Sequence, residues 1–202
     1  LSNLSNLHTG GISYENSAAV RNGEPDSCMP MFRVRARAFG RNLPELFSLL
    51  AEVLTESKFT DKKRLEELCG QCRAILEARV MSASQRSMAV RIASYLSPAG
   101  AYNEQAMLSY YGFLADLTDH FEERFEELSE TLASLLPLVF TKGGLTVGVT
   151  LSEAEYASFA EEAAEFCRRL PQAKAAPQAY HFDVRAKNEG ILSSSRVQYV
   201  GK

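Results

Sequence analysis

Residues 31–39, MFRVRARAF, alternate without interruption. Phe32, Val34, Ala36 and Ala38 fall on one side of an extended chain, and Arg33, Arg35 and Arg37 on the other. A period of two is that of a half-buried strand. From Asn42 the period changes. Leu46, Phe47, Leu49, Leu50, Val53 and Leu54 recur at helical spacing behind Asn42 as N-cap and Pro44 in the first turn. An apolar strand face is thus followed at once by an apolar helix stripe, and the two call for a shared core.

The rest of the chain extends this mixed pattern. Thr9-Gly10-Gly11 reads as a turn into a strand at Ile12–Glu15, and the turn-rich stretch 21–30, RNGEPDSCMP, reads as a loop. Together with MFRVRARAF these form a hairpin with a long loop. A second helix is expected from Thr60 or Asp61 to about Leu96, with Leu65, Leu68, Cys72, Ile75, Leu76, Ile92 and Leu96 inward and a weakly patterned middle at 81–87. The run Ser97-Pro98-Ala99-Gly100 ends it. A third helix covers about Asn103–Leu117 and carries Tyr110, Tyr111 and Phe113. A fourth starts with Asp119 as N-cap and Glu122 in a capping box, and runs to Pro137. Leu145–Val149 reads as a strand, Ser152–Glu155 as the start of a fifth helix, 171–178 as a small-residue linker, and Tyr180–Val184 and Arg196–Val200 as further strands. The order β-β-α-α-α-α-β-α-β is neither a Rossmann alternation nor a pure bundle. It predicts an α+β fold, an antiparallel sheet with helices packed mainly on one face.

Composition excludes some function classes. A net charge of -3 over 202 residues supplies no field to recruit nucleic acid or an anionic membrane, and no apolar run reaches the length of a membrane span. Neither partner is expected. Cys28, Cys69, Cys72 and Cys167 are too few and too scattered for a disulfide scaffold, which favours a reducing compartment. The chain opens without Met and closes on RVQYVGK, and reads as a piece of something longer.

Few residues carry chemistry. The stretch 119–124, DHFEER, matches the zinc signature H-x-x-E-H except that Arg124 replaces the closing His. A guanidinium is a permanent cation that only donates, so it cannot ligate Zn²⁺. Cys69-Gly70-Gln71-Cys72 is a C-x-x-C inside a helical pattern without a second pair, and is expected to be two small core residues rather than a redox or zinc site. His8 and His181 have no readable nucleophile partner, and Gly10-Gly11 and Gly143-Gly144 lack phosphate-loop spacing. Arg33, Arg35 and Arg37 would repel one another unless answered by carboxylates, such as Glu66 and Glu67 or Glu161 and Glu162, or by a ligand. They are the candidate peptide- or partner-facing residues. No catalytic and no metal residue is assigned.

HTGGISY, then MFRVRARAF and GRNLPELFSLLAEVLTESKFTDKKRLEELCGQCRAILEARV, then RIASYLSPAGAYNEQAMLSYYGFLADL together resemble the pitrilysin/insulinase-type zinc metallopeptidases, in particular the presequence-protease branch. The resemblance runs through the closing VQYVGK. It implies a mitochondrial-processing-peptidase-like half-domain, covering most of the non-catalytic third of four related domains around a chamber for unfolded peptides. On that basis residues 1–178 would be the non-catalytic domain, and 179–202 its final strands and the join to the next. Zinc and its H-x-x-E-H would belong to another domain of the parent, and substrate-gripping residues would lie beyond Lys202. Arg73–Glu77 is placed like the family's third-ligand helix, yet without a partnered His pair Glu77 has no claim as a ligand. The implied role is a chamber-forming fragment of a zinc metalloendopeptidase, inactive alone, with the parent's other domains and peptide substrate as partners. The implied location is the bacterial cytoplasm or an organellar matrix. The alternative is a stand-alone interaction or scaffold domain using the Arg33/Arg35/Arg37 face.

Overall fold

A computed structural model describes residues 2–172, 180–192 and 197–201. Among these lie eight α-helices and one two-stranded sheet, the expected α+β class. Strands β1 (Ile12–Arg21) and β2 (Glu24–Ala36) are joined by Asn22-Gly23 alone, so they pair antiparallel. Gly23 sits at φ 80°, the left-handed conformation that Asn-Gly hairpin turns use. The hairpin therefore has a two-residue turn, not the long loop expected over 21–30. Pro25 and Pro30 hid the strand in the sequence. Proline breaks a central strand, but in a two-stranded ribbon each strand has one side facing away from the ladder, where the missing N–H costs nothing.

The helices are α1 (Ser2–His8), α2 (Leu43–Thr55), α3 (Lys62–Ser82), α4 (Ser84–Ala93), α5 (Pro98–Glu104), α6 (Leu108–Asp119), α7 (Phe121–Val139) and α8 (Glu153–Arg169). Two expected helices are each divided. The 61–96 helix breaks at Ala83, where φ −126° and ψ 44° leave the helical region. The Ser82 hydroxyl donates to the Arg79 carbonyl and the Ser84 hydroxyl to the Val80 and Met81 carbonyls, a local competition with the helical ladder. The aromatic helix divides into α5, capped by Ser97 through the Gly100 N–H at 3.1 Å, and α6. Asp119 closes α6 instead of capping α7, and Pro137 lies within α7 rather than ending it. The patterned stretches Leu145–Val149 and Tyr180–Val184 form no strand, since β1 and β2 are the only paired strands among the described residues. Residues 173–178 of the expected linker, the 178/179 domain boundary and Arg196 of the last expected strand lie outside the described residues, and Val197–Val200 is irregular.

Two compact units result. The first holds α1, α2, α8, most of α7, the start of β1 and the end of β2. Its core is Leu43, Leu46, Phe47, Leu50, Ala51 and Leu54 of α2 with Phe166 and Leu170 at the end of α8. The Phe47 ring packs at 5.7 Å from Phe159 and 5.6 Å from Phe166, and Ala51, fully buried, keeps the contact shallow enough for the rings to meet. Ile12, Val34, Ala36 and Ala38 pack on this cluster, which is the expected inward face of the alternating strand. Phe32, which the same alternation turned inward, is 40% exposed. Ser152 opens α8 in a reciprocal cap with Glu155: its hydroxyl donates at 2.6 Å and its N–H at 3.4 Å to the Glu155 carboxylate, holding that carboxyl below its usual pKa.

The second unit pairs α3 with α6 and α4 with α5. Asp61 caps α3 by accepting the Arg64 N–H at 3.0 Å. Leu114 and Leu117 of α6, Phe121 and Phe125 at the start of α7, and Cys69 and Leu76 of α3 are buried. Leu117 is 1% exposed, so Leu117→Ala removes fully buried atoms and is expected to cost about 3 kcal/mol. A lowered urea midpoint with an unchanged slope checks this.

Candidate interaction surface and polar sites

Where α1 ends, the sequence Thr9-Gly10-Gly11 is tied to the exit of β2. The Gly10 N–H donates to the Arg37 carbonyl at 2.7 Å and the Arg37 N–H to the Gly11 carbonyl at 3.2 Å. The Thr9 hydroxyl accepts the Gly11 N–H at 3.1 Å, and Gly11 stands at φ 110°, which a side chain would resist. Asn42, placed to cap α2, instead donates its amide to the His8 carbonyl at 2.9 Å. These bonds frame an open cleft of about 370 Å³ lined by Leu7, His8, Arg37, Phe39 and Asn42. Leu7 is 72% and Phe39 74% exposed, and the Arg41 guanidinium lies 5.6 Å over the Phe39 ring.

Of the three arginines singled out from sequence, Arg33 is half-buried, while Arg35 and Arg37 are exposed. Arg37 lies just past the end of β2 and lines the cleft. None of Glu66, Glu161 and Glu162 forms an ion pair with Arg35 or Arg37 among the described residues, and Glu67 pairs with Arg64 at 3.2 Å. Arg35, Arg37 and Arg41 near exposed Leu7 and Phe39 make a surface that can hold carboxylates beside apolar side chains. Arg41 and the α1 contribution escaped sequence reasoning, because residues 1–8 carry no strong helical period.

The DHFEER stretch is occupied by ion pairs. His120 donates through Nδ1 to the Asp116 carbonyl at 3.0 Å, and Arg124 reaches the Asp116 carboxylate at 2.5 Å with its guanidinium 5.6 Å over Phe113. Asp119 accepts from Arg73 at 2.7 Å, and Glu122 pairs with Lys62 at 2.5 Å, so the expected capping box is absent because both carboxylates are spent on α3. Among the described residues no three His, Cys, Asp or Glu side chains come together to hold a metal, and Glu77 is exposed on α3. Cys69 is buried and Cys72 exposed, and burial raises the Cys69 thiol, the direction that makes a cysteine inert.

A polar cluster that the sequence reading missed lies in the second unit. Glu104, 4% exposed, accepts the Ser109 hydroxyl at 2.6 Å and its N–H at 3.3 Å, so it serves the first turn of α6. It also meets Arg91 of α4 at 3.1 Å, and Arg91 in turn holds Glu189. The Arg91 guanidinium and the Tyr95 hydroxyl hold the Glu189 carboxyl down at about 2. Its stabilising contribution is therefore whole above the ordinary value of 4.5 and is lost as pH falls toward 2. Sequence separation concealed this cluster, which joins residues far apart in the chain.

His120 is raised above 6.5, first by the Asp116 carbonyl and then by the carboxylates of Asp116, Glu123 and Asp119. What it adds to stability is whole below 6.5 and lost as pH rises through the folded value. Asp116→Asn keeps the carbonyl and removes the nearest carboxylate. The His120 midpoint, followed by NMR of its ring protons, is expected to fall toward 6.5; an unchanged midpoint would leave the carbonyl as the whole cause.

Residues 1–117 match the peptidase-associated family of metallopeptidase family sixteen, subfamily C. Among curated proteins, the whole chain aligns with Protein HypA of Clostridium perfringens (strain 13 / Type A), 27% identical over 203 residues and covering 21% of that protein. It also aligns in full with presequence protease 1, chloroplastic/mitochondrial, of Arabidopsis thaliana, 30% identical over 206 residues and covering 19% of it. The chain spans about a fifth of the length of the curated relatives it matches.

Proposed function

The chain belongs to this peptidase-associated family, and from that membership we propose that it is a non-catalytic part of a zinc-dependent metalloendopeptidase that degrades unstructured peptides. The observation that carries this reading is the alignment of the entire chain with one segment of presequence protease 1. In this reading residues 1–178 build part of the wall of a closed peptide chamber, and 179–202 lead toward the next domain. Another domain supplies the zinc, which activates water for peptide hydrolysis, together with the general base. The partners are the remaining domains of the parent and its peptide substrate. The location is the bacterial cytoplasm or an organellar matrix. No helix of the described residues is long and apolar enough to cross a membrane.

The engagement of His120 and Arg124 by Asp116 supports a structural role for the near-match to a zinc signature. Arg33, Arg35 and Arg37 are proposed as the residues that meet peptide or a neighbouring domain, with Arg35 and Arg37 the exposed members. A stand-alone interaction domain would use the same face, and the exposed Leu7 and Phe39 beside Arg37 favour that second reading.

Metal analysis and a peptidase assay on the 202-residue chain test the main reading. The expected result is no zinc at stoichiometric level and no chelator-sensitive cleavage of an unstructured peptide. Stoichiometric zinc with zinc-dependent turnover would overturn it. In the intact parent, the double variant Arg35→Glu/Arg37→Glu is expected to raise KM for acidic unstructured peptides about tenfold with kcat unchanged, as for removal of binding shared by ground and transition states. Unchanged KM would remove the arginines from the peptide path.

A further inference from the structure

Arg91 is the middle of a chain of charges with one fixed end and one movable end. The fixed end is Glu104, whose carboxylate is buried between α5 and α6 and already held by Ser109. One terminal nitrogen of Arg91 lies 3.1 Å from it. If Arg91 swung away, Glu104 would be left as a buried carboxylate without its cation, which is strongly unfavourable. Arg91 is therefore pinned, and its other edge is aimed outward.

That edge holds Glu189. Arg91 Nε and its second terminal nitrogen donate to the two Glu189 oxygens at 2.8 and 2.9 Å, a two-point contact that fixes direction as well as distance. Tyr95, one turn farther along, donates its hydroxyl to the same carboxylate and sets its ring 5.6 Å from the guanidinium. Glu189 belongs to a segment, 180–192, with no helix or strand of its own. The Phe182 ring meets Tyr102 of α5 edge-on at 6.3 Å, while Ile191 and Leu192 are exposed. Asp183 and Arg185 pair with each other within the segment. A stretch without a backbone ladder is held by such side-chain anchors or not at all.

We propose that residues 180–192 form a strap latched to α4 by the Glu189 carboxylate, and that unlatching it uncovers the Tyr102 side of α5. The groups facing Glu189 are Arg91 and Tyr95 of α4 and Lys187 of the strap itself, with Glu104 behind Arg91. All but Glu104 favour the ionised carboxylate, so the latch stays shut through neutral and mildly acidic pH. It opens when Glu189 loses its charge or Arg91 its two-point grip. This inference stands apart from the peptidase reading, since it concerns only contacts within the chain.

Hydrogen–deuterium exchange of the 202-residue chain at neutral pH, resolved by peptide, tests it. Glu189→Gln removes the charge from an exposed side chain. Arg91→Lys keeps a cation beside Glu104 and loses the two-point contact. Each is expected to speed exchange across 180–192 about tenfold, the scale of losing a charged hydrogen bond, while α4 and α5 keep their protection. The double variant should open the strap no further than either single one, because both break the same latch. Wild-type exchange in 180–192 of Glu189→Gln would overturn the proposal, as would additive effects in the double variant. Should Arg91→Lys loosen α4 itself, Tyr95→Phe takes its place in the same cycle under the same criteria.

Discussion

The contact of Phe47 with Phe159 and Phe166 is the constraint on which the first unit depends. It requires α2 and α8 to lie close, which the fully buried Ala51 permits, and it requires α8 to begin where its last turn brings Phe166 and Leu170 onto α2. The Ser152–Glu155 cap fixes that starting point. The inner face of β2 then has an apolar surface to lie on, and Val34, Ala36 and Ala38 fill it. Once those three are inward, the period of two leaves Arg35 and Arg37 no choice but the outer side. The basic surface is thus a by-product of aromatic packing on the other side of the strand.

The second unit is organised differently. Its apolar contacts are supplemented by ion pairs that link neighbouring helices: Lys62 with Glu122, Arg73 with Asp119, Arg91 with Glu104. The first two are partly open to water and hold little energy in isolation. Their effect is positional, because each carboxylate occupied by α3 is unavailable for capping. The buried Glu104 is a stronger constraint, since it serves the start of α6 and the guanidinium of α4 at once.

Legibility in the sequence followed the range of the interaction. The α+β class, the inward face of β2 past Phe32 and the stripes of α2 and α8 were readable, because each is a local period. The two-residue turn was masked by Pro25 and Pro30, which argue against a strand until the strand is known to lie at an edge. The break at Ala83 rests on serine hydroxyls turning to carbonyls one turn back, which the weak pattern at 81–87 marked without resolving. Arg33, Arg35 and Arg37 were located correctly on one strand side, whereas their burial was not, since it depends on what packs nearby. The Glu104–Arg91–Glu189 chain left no trace in any window of sequence, and neither did the cleft between α1 and β2. Both are made by residues brought together only by the fold.

The ribbon of β1 and β2 has a consequence for how this chain behaves among copies of itself. A two-stranded sheet presents two open borders, and open borders invite strands from other molecules. On β1 the Ala18 N–H is already taken by the Asn103 side chain at 3.0 Å. On β2, Pro25 and Pro30 have no N–H to offer, so an incoming strand would meet gaps in its ladder within a few residues. The same prolines that concealed the strand act as guards against its extension into a fibril.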